Sequence, residues 1–141
     1  MDSFRQKTVL VVEDEQSLQD IIHDALKDGG FEVIAAASGE EALGLLKDSE
    51  VKISALLTDI NLASGGANGW EVARQAREAD PSLPVVYMTA AAANEWAALG
   101  VPGSILLQKP FAPAQLVTAI AQLLNAGGPL NPPSSGLPSP T

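Results

Sequence analysis

The chain is 141 residues long, about the size of one domain and too short for two with sizeable cores. Its formal net charge of -9 argues against non-specific binding to nucleic acid or anionic lipid, both of which need clustered cations. It has no cysteine, hence no disulfide or thiolate chemistry, and no apolar run near the ~18 residues of a membrane span, so a cytoplasmic protein is expected.

Residues 8–12 (TVLVV) form a continuous β-branched run, the composition of a strand buried on both faces, and it stops abruptly at Glu13-Asp14-Glu15. Leu18, Ile21, Ile22, Ala25 and Leu26 then recur at the spacing of one helical stripe, which Gly29-Gly30 ends. Residues 31–35 read as a second strand. Ser38 and Glu41 make a capping box ahead of Ala42, Leu43, Leu45 and Leu46, so a second helix is expected to begin there.

A third strand is expected over residues 53–58, delivering Asp59 at its carboxyl end. Residues 62–69 are a Gly-, Ser- and Asn-rich loop. Asn68 and Glu71 are placed to cap a third helix running to Ala79, which Asp80-Pro81 ends. Residues 84–89 are a fourth strand finishing in the Thr89 hydroxyl. An Ala-rich segment to Leu99, closed by Gly100, is read as a helix. Residues 105–107 form the fifth strand, followed by Lys109-Pro110-Phe111. The last helix carries Pro113 in its first turn and is expected to bury Leu116, Val117, Ile120, Leu123 and Leu124. Strict alternation of strands and helices predicts an α/β fold, a parallel sheet with helices on both faces and right-handed crossovers. The domain is expected to occupy residues 1–126. From 127 to 141 Pro, Gly and Ser dominate, too few apolar groups to offset the entropy of ordering, and a flexible tail or linker stub is expected.

The Glu13-Asp14 pair, Asp59, Thr89 and Lys109 fall at or just past the carboxyl ends of four different predicted strands. In an open parallel sheet those ends share the edge where ligands bind. Three carboxylates in one crevice repel one another, which makes a hard divalent cation, Mg2+ foremost, their natural partner. Such an ion would admit an anionic phosphate donor to Asp59, the expected nucleophile. Lys109 supplies a point charge and Thr89 a hydroxyl for phosphoryl oxygens. Taken singly each signal is ordinary: an acidic pair after a strand usually serves a helix N-terminus, and a strand-end Thr is usually a β-former. Their joint placement carries the reading.

These motifs, from Val9 through Glu15, the strand ending in Asp59, Met88-Thr89-Ala90 and Lys109-Pro110-Phe111, resemble the receiver domain of two-component response regulators over roughly residues 7–125. The resemblance implies a flavodoxin-like (βα)5 doubly wound sheet in strand order 2-1-3-4-5. It implies that Asp59 is the phosphoacceptor, Asp14 a direct metal ligand and Glu13 a second acid acting through water. Asn61 would contribute its backbone carbonyl to the metal shell, Thr89 and Lys109 would be the switch hydroxyl and lysine, and the Lys109-Pro110 bond would be cis. The implied partner is a histidine kinase or a histidine phosphotransfer protein. Phosphorylation would then alter the surface formed by helix 4, strand 5 and helix 5.

Three departures from the family pattern matter. The aromatic switch position, three residues before the lysine, is Leu106, and the nearby aromatics Tyr87 and Trp96 read as packing or surface residues. The loop after Asp59 is longer than the common form and lacks its proline. Ala91, two positions after Thr89, cannot position a hydrolytic water, so a moderately long-lived acyl phosphate is expected.

No DNA-binding or catalytic segment is visible beside these motifs, so a single-domain regulator is the expectation; a receiver cut from a hybrid histidine kinase would read the same. From another class, a haloacid-dehalogenase-like Mg-dependent phosphatase also uses a strand-end Asp, but needs a general acid where this chain has Asn61. A flavin-phosphate loop at Glu13-Asp14-Glu15 would repel its ligand, and the full acid, Thr and Lys set argues against a phosphorylation-independent module. His23, on the first helix, reads as a surface residue rather than a phosphotransfer histidine.

Overall fold

The computed structural model describes residues 7–62, 66–90 and 95–126. Five strands alternate with five helices: β1 (Thr8–Val12), α1 (Gln16–Asp28), β2 (Glu32–Ala36), α2 (Gly39–Lys47), β3 (Ala55–Asp59), α3 (Gly69–Ala79), β4 (Val85–Thr89), α4 (Trp96–Leu99), β5 (Ile105–Gln108) and α5 (Pro113–Ala126). The strands form one parallel sheet in the order β2-β1-β3-β4-β5, as the resemblance implies.

Because successive strand residues point to opposite faces, the continuous apolar runs supply two cores at once. Leu10, Val12, Leu56 and Tyr87 face α2 and α3, where Ala42, Val72, Ala73 and Ala76 close the layer. Val9, Val11, Leu57 and Met88 face α1 and α5, against Ile22, Leu26, Leu116 and Ile120. Every residue of β3 and β4 is buried. The sheet centre is therefore rigidly packed, and the strands that carry Asp59 and Thr89 are the least free to move.

Both predicted caps are formed. The Ser38 hydroxyl accepts from the Glu41 N–H, while the Glu41 carboxylate accepts from the Ala37 N–H, closing the box reciprocally. The Asn68 side chain accepts from the Glu71 N–H at the start of α3.

Several boundaries differ from expectation. β3 runs one residue further, through Asp59, because Asp59 still pairs in register with Met88 of β4. Its start falls at Ala55, opposite Val9, although the Ser54 N–H already bonds the Thr8 carbonyl at 2.7 Å. In α1 the predicted apolar stripe is too wide: Ile22 and Leu26 are buried but Ile21 is 52% exposed, since only the stripe's centre meets the sheet and α5. In α5 Leu116 and Ile120 are buried, with Val117, Leu123 and Leu124 packed more loosely around them. Of the Ala-rich segment, Trp96–Leu99 is helical and Gly100 caps it; residues 91–94, Ala91 among them, lie outside the described residues. So do residues 63–65 of the loop and the expected tail from 127. Among the described residues no helix is long and apolar enough to cross a membrane.

Candidate functional site

The carboxyl ends of β1, β3, β4 and β5 meet at one edge of the sheet, and five of the six predicted site residues lie on them. Glu13 directly follows β1 and is 1% exposed; Asp59 ends β3 and is 6% exposed; Thr89 ends β4 and is fully buried. Asp14 is half-buried beside Glu13. One carboxylate oxygen from each of Glu13, Asp14 and Asp59 lies within 4.8 Å of the other two. Lys109 reaches across from the end of β5, with Nζ 3.2 Å from Glu13 Oε1 and 3.3 Å from Asp59 Oδ2. Asn61 sits exposed two residues beyond Asp59, and its backbone N–H donates to the Asp59 carboxylate.

Backbone bonds hold this edge together. The Lys109 N–H donates to the Thr89 carbonyl at 2.7 Å, and the Lys109-Pro110 peptide is cis. The Glu13 N–H donates to the Ala36 carbonyl, and the Glu15 N–H donates to Glu13 Oε2 at 3.1 Å. Two further residues serve the site without having been picked out in the sequence. Gln19 Nε2 donates to the Glu13 carbonyl at 2.9 Å, bracing the end of β1 from α1. The Thr58 hydroxyl donates to the Asp59 carbonyl at 2.9 Å. A glutamine on a helix and a threonine in a strand are so common that neither carries a sequence signal of its own.

Burial raises the Glu13 carboxyl above its ordinary pKa, with Asp59 adding repulsion and the Glu15 N–H and Lys109 opposing. Asp59 is likewise raised by burial and by Asp14, against the pull of Lys109 and the Asn61 N–H. Burial alone would lower Lys109; the Asp59 and Glu13 carboxylates outweigh it and hold the ammonium above its ordinary value. The site thus concentrates more negative charge than one lysine neutralises. Three clustered oxygen donors of this hardness fit a small divalent cation such as magnesium.

The aromatic candidates prove to be packing residues. Tyr87 is fully buried against Trp70, ring centroids 4.8 Å apart at 56°, and its hydroxyl accepts from the Val101 N–H. Trp96 Nε1 donates to Ser104 Oγ at 2.9 Å. Leu106 packs, half-buried, on the same core. His23 is exposed on α1, as its position in the apolar pattern implies.

One glycine is dictated by the site. Gly69 donates its N–H to the Ile60 carbonyl, and a Cβ there would overlap the Asp59 carbonyl oxygen and lie 2.7 Å from Ile60 Cα. Gly69→Ala should therefore displace the end of β3 and destabilise the fold by about 3 kcal/mol. Gly44→Ala, in the open on α2, is the control and should gain about 0.8 kcal/mol from helix propensity. Denaturant unfolding of the two variants separates these outcomes.

Several known proteins are similar to this chain. Response regulator SaeR of Staphylococcus aureus is 30% identical over 118 residues, covering 82% of this chain and 50% of that protein. The chain thus spans about half the length of the curated relatives it matches. A response regulator receiver protein from Sinorhizobium medicae is 47% identical, with a TM-score of 0.84 covering 88% of this chain and 98% of that one. The chemotaxis response regulator CheY4 of Vibrio cholerae is 26% identical, with a TM-score of 0.72 over 84% of this chain and 99% of that one. The family model described as the response regulator receiver domain matches residues 9–121. With that match laid over the whole sheet and all four strand ends, the chain belongs to the response regulator receiver domain family.

Proposed function

We propose that this receiver domain is a phosphorylation-dependent switch in which Asp59 takes a phosphoryl group from a histidine kinase or a histidine phosphotransfer protein. The observation that carries the reading is the convergence of Glu13, Asp14 and Asp59 on one 4.8 Å cluster with Lys109 bridging two of them. An Asp59 oxygen attacks phosphorus, and the bond from phosphorus to the donor nitrogen breaks as the new bond to oxygen forms. Transfer of this kind depends on positioning and on neutralising the equatorial oxygens. Lys109, already shared between two carboxylates, can follow the negative charge onto the phosphoryl group. Thr89 ends the adjacent strand, one position beyond the partner of Asp59, and offers its hydroxyl to a second oxygen.

Asp14, Asp59 and the Asn61 backbone carbonyl would hold magnesium, with Glu13 acting through water. Bound there, the ion would offset the excess negative charge and polarise the phosphoryl group as a Lewis acid. The rest of the chemistry belongs to the chain. Burial of Asp59 keeps bulk water from the acyl phosphate, and the Asn61 amide offers no acid proton for its hydrolysis, so the site holds its phosphate rather than turning over an ester. The readout we assign to the α4, β5 and α5 face. An open groove runs there between Ile105 and Leu107 of β5 and Thr118 of α5. The proposed domain boundary stays at residue 126.

Metal removal tests the reading. Incubated with acetyl phosphate and magnesium, the protein should gain one phosphoryl group; with a chelator in excess it should gain essentially none. Sustained release of inorganic phosphate from a phosphate ester would favour the phosphatase reading instead.

A further inference from the structure

The first turn of α2 grips the loop that follows Asp59. Glu40, exposed on that turn, accepts the Ala67 N–H at Oε2 at 2.9 Å, a bond spanning 27 positions of sequence. Its carboxylate lies so close over Gly66 that any Cβ there would overlap it. One residue earlier, buried Gly39 packs on the Ala67 backbone, where a Cβ would overlap the carbonyl oxygen. Two consecutive helix residues therefore clasp two consecutive loop residues. Immediately beyond the clasp, Asn68 caps α3 and Gly69 bonds back to Ile60. The other limb of the same loop begins with Asn61, whose N–H donates to the Asp59 carboxylate.

An acidic residue in a first helical turn ordinarily serves the helix dipole. Here the two neighbours divide the work. Glu41 closes the helix's own capping box through the Ala37 N–H, whereas Glu40 spends its hydrogen bond on the loop. We propose that Glu40 is a positioning residue for the phosphorylation site: by clasping Ala67 it fixes the limb through Asn68 and Gly69, whose bond to the Ile60 carbonyl steadies the adjoining Asn61 beside Asp59 and the metal. Glu40 touches none of the reacting atoms and acts only through the loop. This inference rests on the phosphoacceptor reading, but it makes a claim about magnesium affinity that is measured separately.

The test uses the full chain and two readouts, magnesium affinity from titration calorimetry and the initial rate of labelling by acetyl phosphate. Loss of one exposed hydrogen bond predicts that Glu40→Ala weakens magnesium binding roughly three- to tenfold and slows labelling at limiting magnesium. Glu40→Gln keeps an oxygen that can accept the same N–H and should return to within about twofold of wild type. Glu41→Ala loses a helix cap without touching the loop and should also stay within about twofold. Unchanged magnesium affinity in Glu40→Ala overturns the proposal, as does an equal loss in Glu40→Gln or in Glu41→Ala. A wild type that binds magnesium but takes no phosphate refutes the phosphoacceptor reading, and the magnesium series then decides the clasp by itself.

Discussion

Asp59→Asn is expected to melt higher than the wild type in the absence of divalent cations, while losing the ability to accept phosphate. Asp59 is buried beside Asp14 and Glu13, and the single Lys109 ammonium remains 3.2 Å from Glu13 when the Asp59 charge is removed. Burial of the Asp59 charge, with repulsion from Asp14 added, outweighs the lost attraction to Lys109 by a net amount on the order of 1 kcal/mol, or about 4 °C in melting temperature. The pH dependence has a definite sign. The folded-state pKa of Asp59 is raised, so its favourable contribution is complete below the ordinary value of 3.8 and is lost as pH rises through the folded value. The asparagine variant does not titrate there. Its advantage should be near zero in acid and grow towards neutral pH, which melting curves across that range will show. Magnesium should close the gap from the other side, since a cation at ten times its dissociation constant stabilises the wild type by about 1.4 kcal/mol.

Lys109→Ala is expected to have the opposite effect on stability and to slow the chemistry without abolishing it. Without the ammonium, Glu13 at 1% exposed is left buried beside two further carboxylates. Removing one partner of such a pair costs about 3 kcal/mol even after allowance for the partial exposure of the lysine. The cost should be confined to a window. It fades in acid as the carboxylates take up protons. It fades again in alkali, because the raised Lys109 pKa makes its contribution complete below 10.5 and lost as pH climbs through the folded value. Labelling by acetyl phosphate should slow about a hundredfold at neutral pH, the usual consequence of deleting one preorganised donor to a developing anion. Lys109→Met keeps most of the packing stem. It should recover less than half of the stability and none of the rate, which separates the charge from the alkyl chain.

Much of this was legible because it was local. The β-branched run of β1, the Ser38 and Asn68 caps and the Pro113 start of α5 declare themselves within a few residues, and each appears where expected. The site was legible for a different reason. In a parallel sheet every strand end arrives at the same edge, so Glu13, Asp14, Asp59, Thr89 and Lys109 could be brought together by counting strands. What could not be read depends on how elements lean on one another. Ile21 belongs to the apolar stripe of α1 by spacing, yet the narrow contact with the sheet and α5 leaves it in solvent. Gln19 and Glu40 look like solvated helix residues; their partners, the Glu13 carbonyl and the Ala67 N–H, are chosen by packing. The extension of β3 to Asp59 follows from its register with β4, which no local pattern encodes.

The phosphoryl group has one expected destination, the Asp59 carboxylate. Peptide mapping of the protein after treatment with acetyl phosphate and magnesium, run beside Asp59→Asn, measures that directly. A single hydroxylamine-labile phosphoryl group on the peptide containing Asp59, absent from the variant, is the predicted result. Equal labelling of wild type and variant, or a phosphate on any other residue, would contradict it.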